Sequence, residues 1–223
     1  MDEAVIPPRV LVTAGPTHEP IDSVRYIANR SSGRMGLALT NASVERAWPT
    51  TLLLGPTALQ PIDHSLLRIH RLQTTTDLQA LLREHWPSHD VLIMAAAVAD
   101  YRPIAHSGKI KRGGPMALQL EPTPDLLAEL AGSTRPDQCV IGFALEPAER
   151  LMSSARDKLD RKHLNAIVAN PLETMDSKTV TAKVILRGDR VLSPQSHLRK
   201  EQFADWLLDR LPEIAATERT VAK

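Results

Sequence analysis

Asn29-Arg30-Ser31-Ser32-Gly33-Arg34-Met35-Gly36 decides how this chain is read, because it has the composition of an anion-binding loop that runs into the first turn of a helix. The apolar run Val10-Leu11-Val12-Thr13-Ala14 precedes it, and Met35, Leu39 and Ala42 follow at helical spacing. Strand, loop and helix in that order is how nucleotide-binding α/β proteins begin. The amides of a first helical turn have no intrahelical partner, and the helix dipole adds partial positive charge there. Arg25, Arg30 and Arg34 strengthen that field. No Asp or Glu lies between Ser23 and Val44, so these guanidiniums are expected to be uncompensated. A Ser-Ser-Gly turn ahead of a helix also serves as a plain N-cap, and the residues leave both readings open.

Neither standard phosphate-loop pattern is present. Gly15 is followed by Pro16 rather than by the spacing Gly-x-Gly-x-x-Gly, and Gly-x-x-x-x-Gly-Lys-Ser/Thr occurs nowhere. A second apolar run, Thr51-Leu52-Leu53-Leu54, passes into Gly55-Pro56 without the acidic residue that would hold a ribose 2′-hydroxyl in a dinucleotide fold. Ordinary NAD binding is disfavoured.

The 223 residues, 43% apolar and 24% charged, suffice for one sizeable α/β core, and a single domain spanning 1–223 is expected. A net charge of +1 gives no global reason to expect nucleic acid or a membrane surface, so any electrostatic function must come from local clustering. No apolar run approaches the ~20 residues of a membrane span, and Met1-Asp2-Glu3 is acidic where a signal peptide would be basic. The cytoplasm is the expected compartment. Cys139 is the single cysteine and opens the run Cys139-Val140-Ile141-Gly142-Phe143, which favours a small buried strand residue over a reactive thiol.

Strand-like runs recur at Val10 to Ala14, Thr51 to Leu54, Leu67 to Leu72, Val91 to Ala95, Val140 to Phe143 and Ala166 to Ala169. Helical patterns fall between most of them. Leu78, Leu81, Leu82 and Trp86 follow a Thr75 cap; Leu126, Leu127 and Leu130 follow Thr123-Pro124, read as a cap with proline at the first helical position; Leu151, Ala155 and Leu159 mark another helix. Such alternation predicts a Rossmann-like, mostly parallel sheet covered on both faces. Near the C-terminus, Val180 to Leu186, the turn Arg187-Gly188-Asp189-Arg190 and Val191-Leu192 read as an antiparallel hairpin at the sheet edge, followed by a closing helix carrying Phe203, Trp206, Leu207 and Leu211.

Two further basic clusters stand out. The connection from Asp100 to Thr123 is too long to be a mere link, and it carries Arg102, Lys109, Lys111 and Arg112 with no acid from Tyr101 to Leu120. Gly108, Gly113 and Gly114 suit a flexible lid over about residues 101–120. In an open parallel sheet, ligands bind beyond the carboxyl ends of the strands, where this connection and the Asn29 to Gly36 loop both emerge. Lys158 and Lys162 lie four apart on one helix face with Arg161 beside them, a spacing that also suits simple solubility. Asp100 follows an alanine run that leaves room for a base or ribose, and it suits a ribose hydroxyl, a metal ion or a turn cap.

Together these segments closely resemble the phosphopantothenoylcysteine synthetase (phosphopantothenate-cysteine ligase) family. Thr13-Ala14-Gly15-Pro16-Thr17, Glu19-Pro20-Ile21-Asp22 and Val24 through Gly33 look like its opening signature. Ala95-Ala96-Ala97-Val98-Ala99-Asp100-Tyr101 resembles the second motif and Lys109-Ile110-Lys111-Arg112 the lysine motif. Pro124-Asp125-Leu126-Leu127, Gly142-Phe143-Ala144 and Lys158 to Asn170 follow in order. The resemblance implies a Rossmann-like sheet with an antiparallel extension used in homodimerisation. It also implies a two-step reaction: the carboxylate of 4′-phosphopantothenate attacks the α-phosphate of CTP or ATP, and cysteine then displaces the nucleotide from the acyl-nucleotide, in coenzyme A biosynthesis.

By matched position the resemblance implies that Asn29 acts on the carboxylate and its activated form, and that Lys109 stabilises charge at the reacting phosphate. Ser31, Ser32 and Gly33 are implied at the phosphate-binding helix start. Met94, Ala95, Ala96, Asp100, Pro124, Asp125, Leu126, Leu127, Phe143, Lys158 and Lys162 are the implied nucleotide contacts. Mg²⁺ is expected with the triphosphate, its protein ligands unknown, because no carboxylate cluster forms a cage. The sequence departs from the family at Arg112, where lysine is frequent, and at Leu145 and Pro147. Many bacterial relatives carry this domain behind a flavin-dependent decarboxylase, of which nothing is present in these residues. An NAD(P)- or flavin-linked oxidoreductase and a non-catalytic nucleotide-binding protein are the alternatives.

Overall fold

The computed structural model describes residues 6–174, 179–188 and 190–217; Met1, Asp2, Glu3 and Asp189, used in the sequence reading, lie outside the described residues. The chain opens with β1 (Val10–Ala14), a short hairpin of β2 (His18–Pro20) and β3 (Tyr26–Ala28), and α1 (Arg34–Glu45). It continues through β4 (Thr50–Leu54), β5 (Leu67–Arg71), α2 (Thr75–His85) and β6 (Val91–Met94). A two-stranded ribbon, β7 (Tyr101–Pro103) with β8 (Leu120–Pro122), closes the base of the long basic connection. Then come α3 (Leu126–Ala131), β9 (Cys139–Glu146), α4 (Leu151–Arg161) and β10 (Ala166–Pro171). The C-terminal part holds β11 (Thr179–Val180), β12 (Lys183–Leu186), β13 (Val191–Leu192), β14 (Leu198–Arg199), α5 (Lys200–Leu208) and α6 (Leu211–Ala215).

The eight-stranded sheet runs β13-β12-β10-β9-β6-β1-β4-β5. The strands from β10 to β5 pair in parallel, while β12 and β13 add an antiparallel edge, as expected from the sequence. Chain order reverses between β1 and β6, and this is the switch point where the crevice of a doubly wound sheet opens. β1 is buried at every residue because it lies in the middle of a sheet covered on both faces. Its alternate side chains divide between the layers: Val10 and Val12 join the core under α1 and α5, and Leu11 joins the core under α2, α3 and α4. Cys139 is buried at the start of β9.

Four local expectations change. Thr74, not Thr75, caps α2, in a reciprocal box with Asp77, because the Thr75 hydroxyl is drawn to Glu19 instead. Asp125, not Thr123, caps α3 and Pro124 precedes the helix, because the Thr123 hydroxyl donates to the Ala99 carbonyl. Val180 does not continue into the edge hairpin; it pairs with Leu198 and is buried in the α1/α5 core, so only Lys183–Leu186 and Val191–Leu192 form the hairpin. The expected closing helix is two helices, with Pro212 in the first turn of α6, where its missing N–H costs nothing.

Candidate functional site

The start of α1 is built to stay open. Gly33 is its N-cap at φ 75°, a left-handed conformation that favours glycine, and no side chain caps the helix. Ser31 Oγ instead accepts from the Gly33 amide at 3.3 Å, and the Thr57 hydroxyl donates to the Ser32 carbonyl at 2.9 Å, fixing the loop without covering the helix end. Gly36 lets the helix rest on β1: a Cβ there would meet Ala14 Cβ at 2.3 Å. A cavity of about 140 Å³ lies at this helix start, lined by residues 30–36 and by Ala95, Phe143, Asn170 and Lys200 among others. The plain serine N-cap is therefore excluded.

Beside it lies a larger cavity of about 610 Å³ beyond the carboxyl ends of β6, β9 and β10. Its floor is the Ala95 to Asp100 segment. The buried Thr13 hydroxyl accepts from the Ala96 amide at 3.0 Å, and the buried Thr17 hydroxyl accepts from the Ala99 amide at 3.0 Å. Thr17 in turn bonds Thr75, whose hydroxyl and amide both donate to the buried Glu19 carboxylate. Asn29 donates from Nδ2 to the Val98 carbonyl at 2.8 Å, so the signature before α1 and the alanine run after β6 form one unit.

The opposite wall comes from α4 and carries two ion pairs. Lys158 Nζ lies 2.5 Å from Glu146 Oε1, and Lys162 Nζ lies 2.9 Å from Asp125 Oδ1. Burial works against the charge on Glu146, yet the Lys158 ammonium and the Ser154 hydroxyl hold its carboxyl below its usual range. Arg30 and Arg34 make no ion pair among the described residues.

The structure gathers nearly all of the sequence-derived residues at these two cavities. Asn29, Ser31, Met94, Ala95, Ala96, Asp100, Pro124, Asp125, Leu126, Leu127, Phe143, Lys158 and Lys162 line the larger, and Ser32 and Gly33 line the smaller. Lys109 is exposed on the long loop and lines neither. Two expectations about charge are corrected. Arg25 is not uncompensated: it grips Asp22, which lies just ahead of the acid-free stretch. Arg102 is paired with Glu121 at 2.8 Å, just past the acid-free part of its loop.

Sequence reasoning gave no role to Glu146 or Asn170, nor to the Thr13 and Thr17 hydroxyls. Asn170 lines both cavities; in sequence it closes the last family motif and stands as a polar residue at the carboxyl end of an apolar strand. Among the described residues no three His, Cys, Asp or Glu side chains group as a metal site, and Asp125 is already engaged by Lys162. No described helix is long and apolar enough to cross a membrane.

Comparison with known proteins bears on the family and the fold. The chain is 42% identical over 167 residues to a "Cysteine/Cysteine sulfinic acid decarboxylase" of an unknown prokaryotic organism, covering 74% of this chain and 46% of that protein. It is 38% identical over 221 residues to the "Coenzyme A biosynthesis bifunctional protein CoaBC" of Mycobacterium bovis, covering 93% of this chain and 53% of that protein. It thus spans about half the length of the curated relatives it matches. The solved C-terminal domain of a coenzyme A biosynthesis bifunctional protein CoaBC superposes with a TM-score of 0.78 at 33% identity, covering 93% of this chain and 95% of that one. Residues 7–214 match the model of the DNA/pantothenate metabolism flavoprotein C-terminal domain, and the chain belongs to that family, the one that holds the phosphopantothenoylcysteine synthetases it resembles in sequence.

Proposed function

We propose that this chain is a phosphopantothenate-cysteine ligase acting in coenzyme A biosynthesis through an acyl-nucleotide, with CTP favoured over ATP. The observation that carries this reading is that the uncapped, arginine-flanked start of α1 and the lysine-walled cavity share Arg30, Ser31, Ala95, Phe143, Leu145 and Asn170. One continuous depression thus offers an anion seat beside room for a nucleotide. An oxidoreductase reading lacks both the glycine pattern and an acid at the end of β4, where Leu54 is followed by Gly55.

In the proposed first step a carboxylate oxygen of 4′-phosphopantothenate attacks the α-phosphorus, the bond to the β-phosphate breaks, and pyrophosphate leaves. In the second, the cysteine amine attacks the acyl carbon, a C–N bond forms, the C–O bond to the nucleotide breaks, and the amine proton passes to solvent. Both steps gather negative charge, so orientation and electrostatic stabilisation dominate. Amides at the start of α1 with Arg30 and Arg34 meet phosphate oxygens, while Lys158 and Lys162 face the nucleotide. Asn29, turned by Val98, keeps Oδ1 and one Nδ2 hydrogen for the reacting acyl group. Lys109 is assigned to charge at the reacting phosphate, which requires its loop to close over the cavity. Mg²⁺ enters with the triphosphate.

The proposal treats residues 1–223 as one nucleotide-binding domain with residues 101–120 as its lid, working as a homodimer. Val24, Tyr26, Tyr101 and Ile104, all more than half exposed on the small ribbons and the loop, support a covered surface there. The test is the purified chain with Mg²⁺, phosphopantothenate, cysteine and either CTP or ATP. Amide product with pyrophosphate release is expected, and Lys109→Ala should lose most turnover while melting as the parent does. No product with either nucleotide contradicts the proposal.

A further inference from the structure

Between Ile104 and Pro122 every residue of the long loop is exposed except Ile110, which is half-buried. This exception has a built cause. Asp22 sits in the turn joining β2 to β3, its side chain fully enclosed, and its carboxylate accepts from the amides of Val24 at 2.9 Å and Arg25 at 2.8 Å. The same carboxylate accepts from the Arg25 guanidinium and, at 3.0 Å, from the Ile110 amide. Arg25 then donates to the Ile110 carbonyl at 2.9 Å. One carboxylate–guanidinium pair therefore holds both polar groups of a single loop peptide residue. Two further backbone links join the same turn: the His106 amide donates to the Ile21 carbonyl and the Ser23 amide to the Gly108 carbonyl.

Five backbone and side-chain bonds on an enclosed carboxylate are more than a surface ion pair needs, and the Arg25 guanidinium with these amides keeps Asp22 ionised well below the usual carboxylate range. What the pair grips is the residue between Lys109 and Lys111. What carries the pair is the hairpin that ends at Ala28, next to Asn29. We propose that Asp22 is a positioning residue: through Arg25 and Ile110 it tethers the Lys109 segment to the hairpin that presents Asn29, so that the lid closes from a defined point beside Asn29 and delivers Lys109 in register with it. Long exposed loops sample many conformations, and a peptide gripped at the lysine motif removes much of that freedom at the place where it matters.

This proposal rests on the ligase reading only for the consequence to turnover, and its first test does not involve activity. In brief trypsin digestion of the full chain, Asp22→Asn should be cut after Lys109, Lys111 or Arg112 at least tenfold faster than the parent, with other sites and the melting temperature little changed. An unchanged cutting rate in a folded Asp22→Asn protein overturns the proposal. If that variant does not fold, Arg25→Gln decides with the same readout, because it releases the Ile110 carbonyl while the Asp22 bonds to backbone amides remain. The second test is a double-mutant cycle on turnover. Asp22→Asn should lower kcat about tenfold with little change in the nucleotide KM, and should have no further effect in a Lys109→Ala background. Independent, multiplying losses would show a merely structural role and overturn the positioning claim. An inactive parent would refute the ligase reading and leave the digestion result to judge the clamp alone.

Discussion

The two cationic regions of the site differ in how their charge is held. At the start of α1, Arg30 and Arg34 face the cavities with no carboxylate partner among the described residues, and the helix amides are left without a side-chain cap. On α4, Lys158 and Lys162 are already matched by Glu146 and Asp125. The first arrangement has unspent attraction for an anion and is the natural seat for phosphates. The second holds its lysines at fixed points, where a ligand competes with a resident carboxylate; such a wall suits placement and selection more than raw affinity. Net positive charge counted along the sequence hides this difference.

Removing the unpaired charges should have the largest effect. Arg30→Ala with Arg34→Ala is expected to raise the KM for a phosphate-bearing substrate by roughly 100-fold, at about 1.5–3 kcal/mol per charge-assisted hydrogen bond, with no loss in melting temperature because no ion pair is broken. A fall in melting temperature with KM unchanged would show that these arginines serve the fold and would erase the contrast. On the paired side, Lys162→Met should weaken nucleotide binding about tenfold, partly because it leaves Asp125 as a bare negative charge at the cavity. Adding Asp125→Asn should recover part of that loss. A double variant no better than the single one would mean that Asp125 does not compete with the ligand.

The smallest effect concerns pH. The folded pKa of Glu146 lies below its unfolded value, so its contribution to stability is present above the unfolded pKa and is lost as pH falls through the folded one. Glu146→Gln should therefore melt below the parent near neutral pH, by about 2–4 °C at most for a partly exposed pair. The gap should close as pH drops below roughly 4. A gap that widens in acid would contradict the assignment of the pair.

The positions of the parallel strands along the chain were legible because most of them are apolar runs flanked by turn residues, from Val10–Ala14 to Ala166–Pro171; their order in the sheet was not read from the sequence. The antiparallel edge was legible in outline but not in extent, since Val180 alternates correctly for a hairpin and only the buried α1/α5 layer pulls it elsewhere. The cap errors share one cause: Thr75 and Thr123 have the right side chains for helix caps, but both hydroxyls are recruited by distant partners, Glu19 and Ala99. Charge compensation failed for a related reason. Asp22 and Glu121 stand just outside the windows that contain no acid, yet both reach back to the arginines within them. Most of the candidate site was legible through the family resemblance, whereas the partners that hold its residues, among them Thr13, Thr17 and Glu146, are set by tertiary neighbours.

The division between an anion seat and a nucleotide wall implies chemistry in two separable steps, and one measurement addresses it directly: pyrophosphate release on mixing the protein with Mg²⁺, CTP and phosphopantothenate, cysteine being withheld. The expected result is a burst close to one pyrophosphate per site that stalls until cysteine is added and then resumes as steady turnover. Absence of any burst, with release appearing only once cysteine is present, would contradict an acyl-nucleotide formed ahead of the amine's attack.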